Sequence, residues 1–296
     1  MMVLRRVVQT AATLLTNAWW LFPWSSTGLY SGRLKCICAP GLNCYSCPAA
    51  VTACPIGALQ NFMATLRPTL EAGSFQPGFY VLGWLGMLGA LAGRMPCGWL
   101  CPFGFFQELM HKIPAPRLRI PKALSYLKYV ILALFVIVLP ALVTDMFGYG
   151  QTWFCKFICP AGTLEAGLPQ LILKPGLRGT LGWLFVNKLA ILALFLVWMV
   201  FSRRPFCRVA CPLGALYGLF NKVSVFRMVH IEENCVHCGA CLRDCPMDVD
   251  FAATPNSADC IRCLKCMRHS CRYGAITFEL AGLPAQRPIQ ARPKDA

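Results

Sequence analysis

Four long apolar stretches alternate with polar, cysteine-bearing loops along the first two thirds of the chain, at residues 7–24, 77–93, 126–147 and 183–201. Each is long enough, or nearly so, to cross a hydrocarbon core of about 30 Å as a helix. The third and fourth are almost unbroken Leu, Ile, Val, Ala and Phe. The second is short and rich in glycine, and the first carries Gln9, Thr10, Thr13, Thr16 and Asn17. Both are therefore expected to pack inside a bundle instead of facing lipid. Arg5-Arg6 ahead of the first stretch also fits a cleaved leader. Its Trp19-Trp20-Leu-Phe-Pro-Trp24 end reads instead as an interfacial aromatic belt, which makes it a retained anchor.

Four spans put the N-terminus, the 94–125 loop and everything after 202 on one face. Arg5, Arg6, Arg94, Lys112, Arg117, Arg119, Lys122, Arg203, Arg204 and Arg208 crowd that face near the spans. Arg33, Lys35, Arg67, Lys156, Lys174 and Arg178 are spread more thinly over the other. The positive-inside rule then places the C-terminal region in the cytoplasm, with the protein in the inner (cytoplasmic) membrane. Residues 281–296, with Pro284, Pro288 and Pro293 among basic residues, are expected to be a disordered tail.

Composition adds one decisive fact: 19 of the 296 residues are cysteine, in a chain with 14% charged residues and a mean hydropathy of +0.54. That is far too many for a reduced cytosolic enzyme without metal. The strongest pattern is Cys235-x2-Cys238-x2-Cys241-x3-Cys245-Pro, followed by Cys260-x2-Cys263-x2-Cys266-x4-Cys271. The first run has the spacing of a bacterial [4Fe–4S] ferredoxin, in which the fourth cysteine crosses to the partner cluster. One cluster then takes Cys235, Cys238, Cys241 and Cys271, and the other Cys245, Cys260, Cys263 and Cys266. A zinc reading exists for any Cys-x2-Cys pair. The second run departs from the usual form, ending Cys-x4-Cys271-Arg272 where Cys-x3-Cys-Pro is expected, which puts Cys271 in question.

The other cysteines fall in a repeat. Cys97-x3-Cys101-Pro-Phe-Gly follows the second apolar stretch, Cys155-x3-Cys159-Pro-Ala-Gly the third, and Cys207-x3-Cys211-Pro-Leu-Gly the fourth. After the first come Cys44-x2-Cys47-Pro and Cys54-Pro-Ile-Gly. Each half thus reads span, cysteine loop, span, cysteine loop, and each Cys-Pro is expected to open a short helix whose N-terminus faces an anionic group. Cys97, Cys101, Cys207 and Cys211 share the cytoplasmic face and suffice for one cluster. Cys38, Cys44, Cys47, Cys54, Cys155 and Cys159, with Cys36 the most dispensable, share the other and suffice for a further one. The alternatives are buried free thiols for the first group and disulfides for the second. Four such clusters, at about −2 each, would cancel roughly half of the formal charge of +16. Nucleic-acid binding is therefore not expected.

Asp145, Glu108, Glu165 and His111 are ionisable groups beside the spans. Intramembrane carboxylates are often functional, but solvated loop charges are the expectation for each carboxylate. His237 and His269 read as spacers within the cysteine runs. No dinucleotide glycine fingerprint, phosphate-binding loop or nucleophilic triad is present, which argues against a self-contained dehydrogenase.

Cys97-Gly-Trp-Leu-Cys101-Pro-Phe-Gly-Phe-Phe-Gln-Glu108, Cys207-Arg-Val-Ala-Cys211-Pro-Leu-Gly and the C-terminal double run resemble the NapH-type membrane iron–sulfur proteins, a polyferredoxin group with NosR-like and CcoG-like members. The resemblance implies a four-span subunit passing electrons between a quinone pool and other redox subunits. The expected fold is an all-α membrane bundle of four transmembrane helices in two pseudo-repeats (1–222), plus a small α+β 2[4Fe–4S] ferredoxin domain (223–280). The expected function is electron transfer between a quinone or far-side redox partner and a cytoplasmic one. A CcoG-like metal-reducing assembly factor and a redox-sensing regulator are the alternatives. The segment from Cys38 to Cys54, with Cys155–Pro160, exceeds the simplest pattern of the group and suggests an extra cluster on the far face. Some 30 Å of hydrocarbon would separate that face from the cytoplasmic cysteines, so a continuous path requires the far loops to dip inward.

Overall fold

The computed structural model describes residues 2–21, 23, 28–73, 78–146 and 148–280. The expected span limits at Trp24, Pro77 and Phe147, and the expected tail at 281–296, lie outside them. The helical domain comprises α1 (Met2–Thr16), α2 (Pro55–Glu71), α3 (Phe79–Ala92), α4 (Met95–Trp99), α5 (Pro102–Met110), α6 (Lys122–Leu142), α7 (residues 160–173), α8 (Trp183–Phe201), α9 (Pro205–Val209) and α10 (Pro212–Phe220). Two of these, α6 with 21 residues and α8 with 19, are long and apolar enough to cross a membrane. At 1.5 Å per residue they measure about 30 Å. The 14-residue α3 is apolar but shorter.

The first apolar stretch does not form the full span expected over 7–24: its helix ends at Thr16. Thr16 Oγ1 and Asn17 Nδ2 turn back onto the carbonyls of Ala12 and Thr13, and the Thr16 carbonyl is taken by Val51 N–H at 3.0 Å. The chain thereby enters the 36–54 loop instead of continuing as helix. The third stretch likewise stops at Leu142, where Val143 becomes extended and Thr144 bridges Gly150. The fourth forms where the pattern placed it, Trp183–Phe201.

The Cys-Pro expectation holds at Pro55, Pro102, Pro160 and Pro212, each of which opens a helix. It fails at Cys47-Pro48, which lies in a turn. The helix from Pro55 is also 17 residues long, not short. Proline suits these first turns because its missing N–H is not needed there. Between the halves, Phe103 meets Phe206 edge-to-face at 5.2 Å, and Phe206 meets Phe195 in the same way at 5.2 Å. These rings tie α5, α9 and α8 into one core.

The C-terminal lobe is α+β. Strands β1 (Phe226–His230) and β2 (Ile276–Leu280) pair antiparallel, with Met228 opposite Phe278, and enclose the cysteine runs and α11 (Ala240–Asp244). Its joint with the helical domain is polar and buried. Arg262 is fully buried and donates to Asn221 O at 2.6 Å, Ser224 Oγ at 2.7 Å and Ala92 O at 3.1 Å. Trp99 Nε1–H donates to Arg262 O at 3.0 Å.

Candidate metal centres

All nineteen cysteines are free thiols, so none of the far-side group is paired as a disulfide. In the C-terminal lobe they gather in two crossed sets. Cys235, Cys238, Cys241 and Cys271 line one cavity of about 110 Å³. Cys245, Cys260, Cys263 and Cys266 line a smaller one of about 20 Å³, with Cys241 on the wall of both. The extra residue before Cys271 is absorbed by a wide turn over Cys266–Ser270, in which Cys271 N–H bonds to Cys266 O at 2.8 Å. Cys271 then accepts Ala275 N–H at 3.3 Å, just as Cys245 accepts Val249 N–H at 3.4 Å.

The loops themselves fit an anionic cluster. His237 and Gly239 in the first, and Arg262 and Leu264 in the second, take left-handed conformations at equivalent positions, with φ of 49°, 67°, 47° and 58°. Non-glycine residues adopt that region at a cost of roughly 1–2 kcal/mol each. Alternating hands turn successive N–H groups to one side, the concavity that receives iron–sulfur anions. A single metal ion fits less well. Among the described residues no three His, Cys, Asp or Glu side chains converge on one ion position. Zn–S bonds of about 2.3 Å demand such convergence, whereas a cubane takes its thiolates at four separate corners.

In the helical domain the cysteines gather across the two halves. Cys97, Cys101, Cys207 and Cys211 are all buried together. Cys101 and Cys211 cap their helices by accepting N–H bonds from Gly104 and Gly214, each at 3.3 Å. Burial pushes the Cys97 thiol up to about 11, with Cys207 adding to the effect and Arg94 and Arg204 opposing it. Such thiols ionise when a metal replaces the proton.

The second group is Cys44, Cys54, Cys155 and Cys159. Cys159 caps its helix through Gly162 N–H at 3.4 Å, and Cys44 Sγ stands beside the same glycine. Burial and then the neighbouring Cys54 push the Cys155 thiol up to about 12. Of the remaining three, Cys36 is exposed, Cys47 points its Sγ at Asn17 Oδ1 at 3.7 Å, and Cys38 is buried beside Cys54 in a bridge to Ala53.

Two residue types escaped the sequence reading. Gln60 and Gln107 each stand six residues after a Cys-Pro cysteine. Gln107 Nε2 donates to Cys207 Sγ at 3.0 Å and Gln60 Nε2 to Cys155 Sγ at 3.1 Å, each reaching the first cysteine of the opposite half. Arg94 and Arg204 each stand three residues before a cysteine, and both are fully buried. Their guanidinium groups cross: Arg94 donates to Cys207 O, and Arg204 to Cys97 O at 2.7 Å. Each also lies against the other half's capping glycine, Arg94 against Gly214 and Arg204 against Gly104. Burial opposes the Arg94 charge, but Cys97 and Asp259 more than offset it. The repeated Arg-x2-Cys-x3-Cys-Pro-x-Gly spacing is the signal in the sequence that marks both arginines as more than charges on one face.

Glu108 and Glu165 correct the expectation of solvated loop charges. Glu108 is held by Arg5, by Arg6 at 2.8 Å and by Arg204 at 2.7 Å. Its burial would raise the carboxyl, yet Arg204, Arg5 and Arg6 hold it down at about 2. Glu165 accepts Cys44 N–H at 2.7 Å, and burial raises its carboxyl to about 7. Asp145 is exposed, as expected of a loop charge.

The four groups form a chain of contacts. Cys241 joins the two C-terminal cavities. A Cβ at Gly98 would stand 2.5 Å from Ile261 O, so the Cys97–Cys101 loop lies directly on the Cys260–Cys263 loop. Leu42 N–H donates to Cys101 Sγ at 3.4 Å, two residues before Cys44. Two residues reach at most about 7 Å, so the 36–54 loop runs from the Cys97–Cys101 group to the Cys44 group.

A family described as "4Fe-4S binding domain" matches residues 52–71, 78–121, 129–174 and 184–228, one segment for each Cys-Pro helix. The chain is 33% identical over 205 residues to protein MJ0750 of Methanocaldococcus jannaschii, covering 66% of this chain and 76% of that protein. It is 30% identical over 160 residues to the methylamine utilization ferredoxin-type protein MauN of Methylorubrum extorquens, covering 52% of this chain and 48% of MauN. It is 29% identical over 176 residues to the regulatory protein NosR of Pseudomonas aeruginosa, covering 57% of this chain and 22% of NosR. No solved structure matches the chain. The chain belongs to the 4Fe-4S binding domain family.

Proposed function

We propose that the chain is a membrane-bound iron–sulfur electron-transfer subunit carrying four [4Fe–4S] clusters. The observation that carries this reading is the unbroken series of contacts linking four cysteine groups, from Cys235 to Cys159. The ligand sets are Cys235, Cys238, Cys241 and Cys271; Cys245, Cys260, Cys263 and Cys266; Cys97, Cys101, Cys207 and Cys211; and Cys44, Cys54, Cys155 and Cys159. Cys38 and Cys47 fall outside them. Each bound cluster supplies one-electron redox chemistry; the chain fixes spacing, excludes water and sets hydrogen bonding to the sulfurs. Gln60 and Gln107 donate to thiolates, while Arg94 and Arg204 bring buried positive charge beside the third set.

In this reading α6 and α8 cross the inner membrane, α1 and α3 cross it as shorter helices braced by the bundle, and the ferredoxin-like lobe lies in the cytoplasm. Electrons then pass between a quinone or far-side redox partner near the 36–54 loop and a cytoplasmic partner at the lobe. The ferredoxin-type name of MauN supports the class of activity. Iron and acid-labile sulfide in the purified full chain are expected at about sixteen each, four per cubane. A value near eight overturns the two membrane-domain sites and leaves the lobe alone. Quinol-driven reduction of the clusters supports the electron-transfer role. Metal reduction without any quinone-coupled activity supports an assembly reductase instead.

A further inference from the structure

The junction between the helical domain and the C-terminal lobe contains a cavity of about 190 Å³ that no cysteine lines. Glu108 lies in its wall, but its carboxylate is already committed to Arg5, Arg6 and Arg204. The second carboxylate in the wall, Asp244, accepts Ser270 Oγ–H at 2.7 Å. Three further cations face the same space: Lys112, Arg203 and Lys265. None of the three has an ion-pair partner among the described residues. Arg203 uses Nη1 on the carbonyls of Arg243 and Cys245, both at 3.3 Å. Two polar atoms of the wall are buried without partners: Nε of the fully buried Arg204, and His111 Nδ1.

We propose that this cavity is a binding site for a phosphate-type oxyanion. Arg5, Arg6 and Arg204 are taken up by Glu108, but Lys112, Arg203 and Lys265 face the cavity with no ion-pair partner among the described residues, a local excess of positive charge that suits an anion. Unpaired guanidinium and ammonium groups bind phosphate through charge-assisted hydrogen bonds. The volume is below the roughly 300–1,000 Å³ of sites for drug-sized ligands. It accommodates one compact oxyanion, and its lining of charged side chains suits an anion and not an apolar ring. Arg5 and Arg6 open α1 and Lys112 follows α5, at the polar ends of these helices. Either free phosphate or the headgroup of an anionic phospholipid supplies the same chemistry there.

The test uses the full-length holoprotein in detergent, wild type and the Lys112→Gln/Lys265→Gln double variant, neither lysine having a structural ion pair to lose. Inorganic phosphate is titrated by calorimetry, and native mass spectrometry is run before and after reconstitution with phosphatidylglycerol. One phosphate per wild-type chain, bound at least tenfold more weakly by the variant at unchanged iron content, supports a free-oxyanion site. One retained phosphatidylglycerol on the wild type and none on the variant supports the headgroup as the source. No bound phosphate species on the wild type, or equal binding by both proteins, overturns the proposal. Iron content is measured separately, so failure here does not depend on the fate of the electron-transfer reading.

Discussion

In the C-terminal lobe, three of the four cysteines in each group come from a single loop, Cys235–Cys241 or Cys260–Cys266, and backbone conformation gathers them. In the helical domain each group draws on both halves. Cys97 and Cys101 stand with Cys207 and Cys211, and Cys54 with Cys155 and Cys159. The first kind of site spends strain locally, at His237, Arg262 and Leu264. The second depends on helix N-termini held face to face by crossed side chains. A local loop can gather its donors before the fold is complete; a shared site exists only once the halves dock.

That contrast predicts its largest effect in cysteine substitutions. Cys101→Ala and Cys211→Ala are each expected to abolish the same EPR signal and to lower iron by about four atoms per chain. The double variant is expected to lose no more than either single one, because both act on one unit. Cys238→Ala removes a different signal and leaves that one intact. Two separate losses from Cys101→Ala and Cys211→Ala would break the shared-site half of the comparison.

Next in size are the crossed arginines. Arg204→Gln leaves Glu108 buried with one cation fewer and the Cys97 carbonyl without its donor. Breaking a buried ion pair by removing one partner costs about 3–5 kcal/mol. Arg67→Gln removes an exposed pair with Glu71, where about 0.3–0.5 kcal/mol is expected. Denaturation of the two variants, followed by cluster absorbance, measures the difference; equal midpoints would show that Arg204 does not hold the halves together.

How far the sequence reveals each region follows from the same contrast. The gathering of the eight C-terminal cysteines around two neighbouring cavities was legible, because most of them are neighbours in the chain. So were the four helices opened by Pro55, Pro102, Pro160 and Pro212, since N-caps are local, and the apolar run that forms Trp183–Phe201. Arg94, Arg204, Gln60 and Gln107 were not, because each acts on a cysteine loop in the opposite half. Glu108 and Glu165 looked like loop charges because nothing near them in sequence shows that Arg5, Arg204 or the Cys44 N–H will cover them. The early end of α1 was hidden similarly: the Thr16 carbonyl accepts Val51 N–H, from the 36–54 loop, and the helix stops there.

A smaller effect is expected where the two kinds of site meet. Gly98 has no side chain because Ile261 O occupies the place of its Cβ, 2.5 Å away. Gly98→Ala therefore pushes the lobe off the helical domain and costs about 1–3 kcal/mol, the usual range for overpacking. Pulsed EPR should show a weakened coupling between a lobe cluster and the Cys97 cluster, with iron content unchanged. An unaltered coupling would mean that the two loops are not the point of contact.

The smallest effect separates the two shared sites from each other. Gln107 donates to Cys207 Sγ and Gln60 to Cys155 Sγ, so each glutamine reports on one site only. A hydrogen bond to a thiolate stabilises the reduced, more negative state of a cluster more than the oxidised state. Removing it therefore lowers the reduction potential. A net hydrogen bond of about 0.5–1.5 kcal/mol corresponds to roughly 20–60 mV for one electron, since a tenfold change in equilibrium is about 59 mV. Gln107→Leu is expected to move the signal lost in Cys101→Ala downward by that amount and to leave the other membrane-domain signal in place. Gln60→Leu should do the converse, moving the signal lost in Cys159→Ala. Redox titration followed by EPR reads both shifts in one experiment. If either variant moves both signals equally, the two sites are not separate centres linked by the 36–54 loop, and the chain of four groups contracts to three.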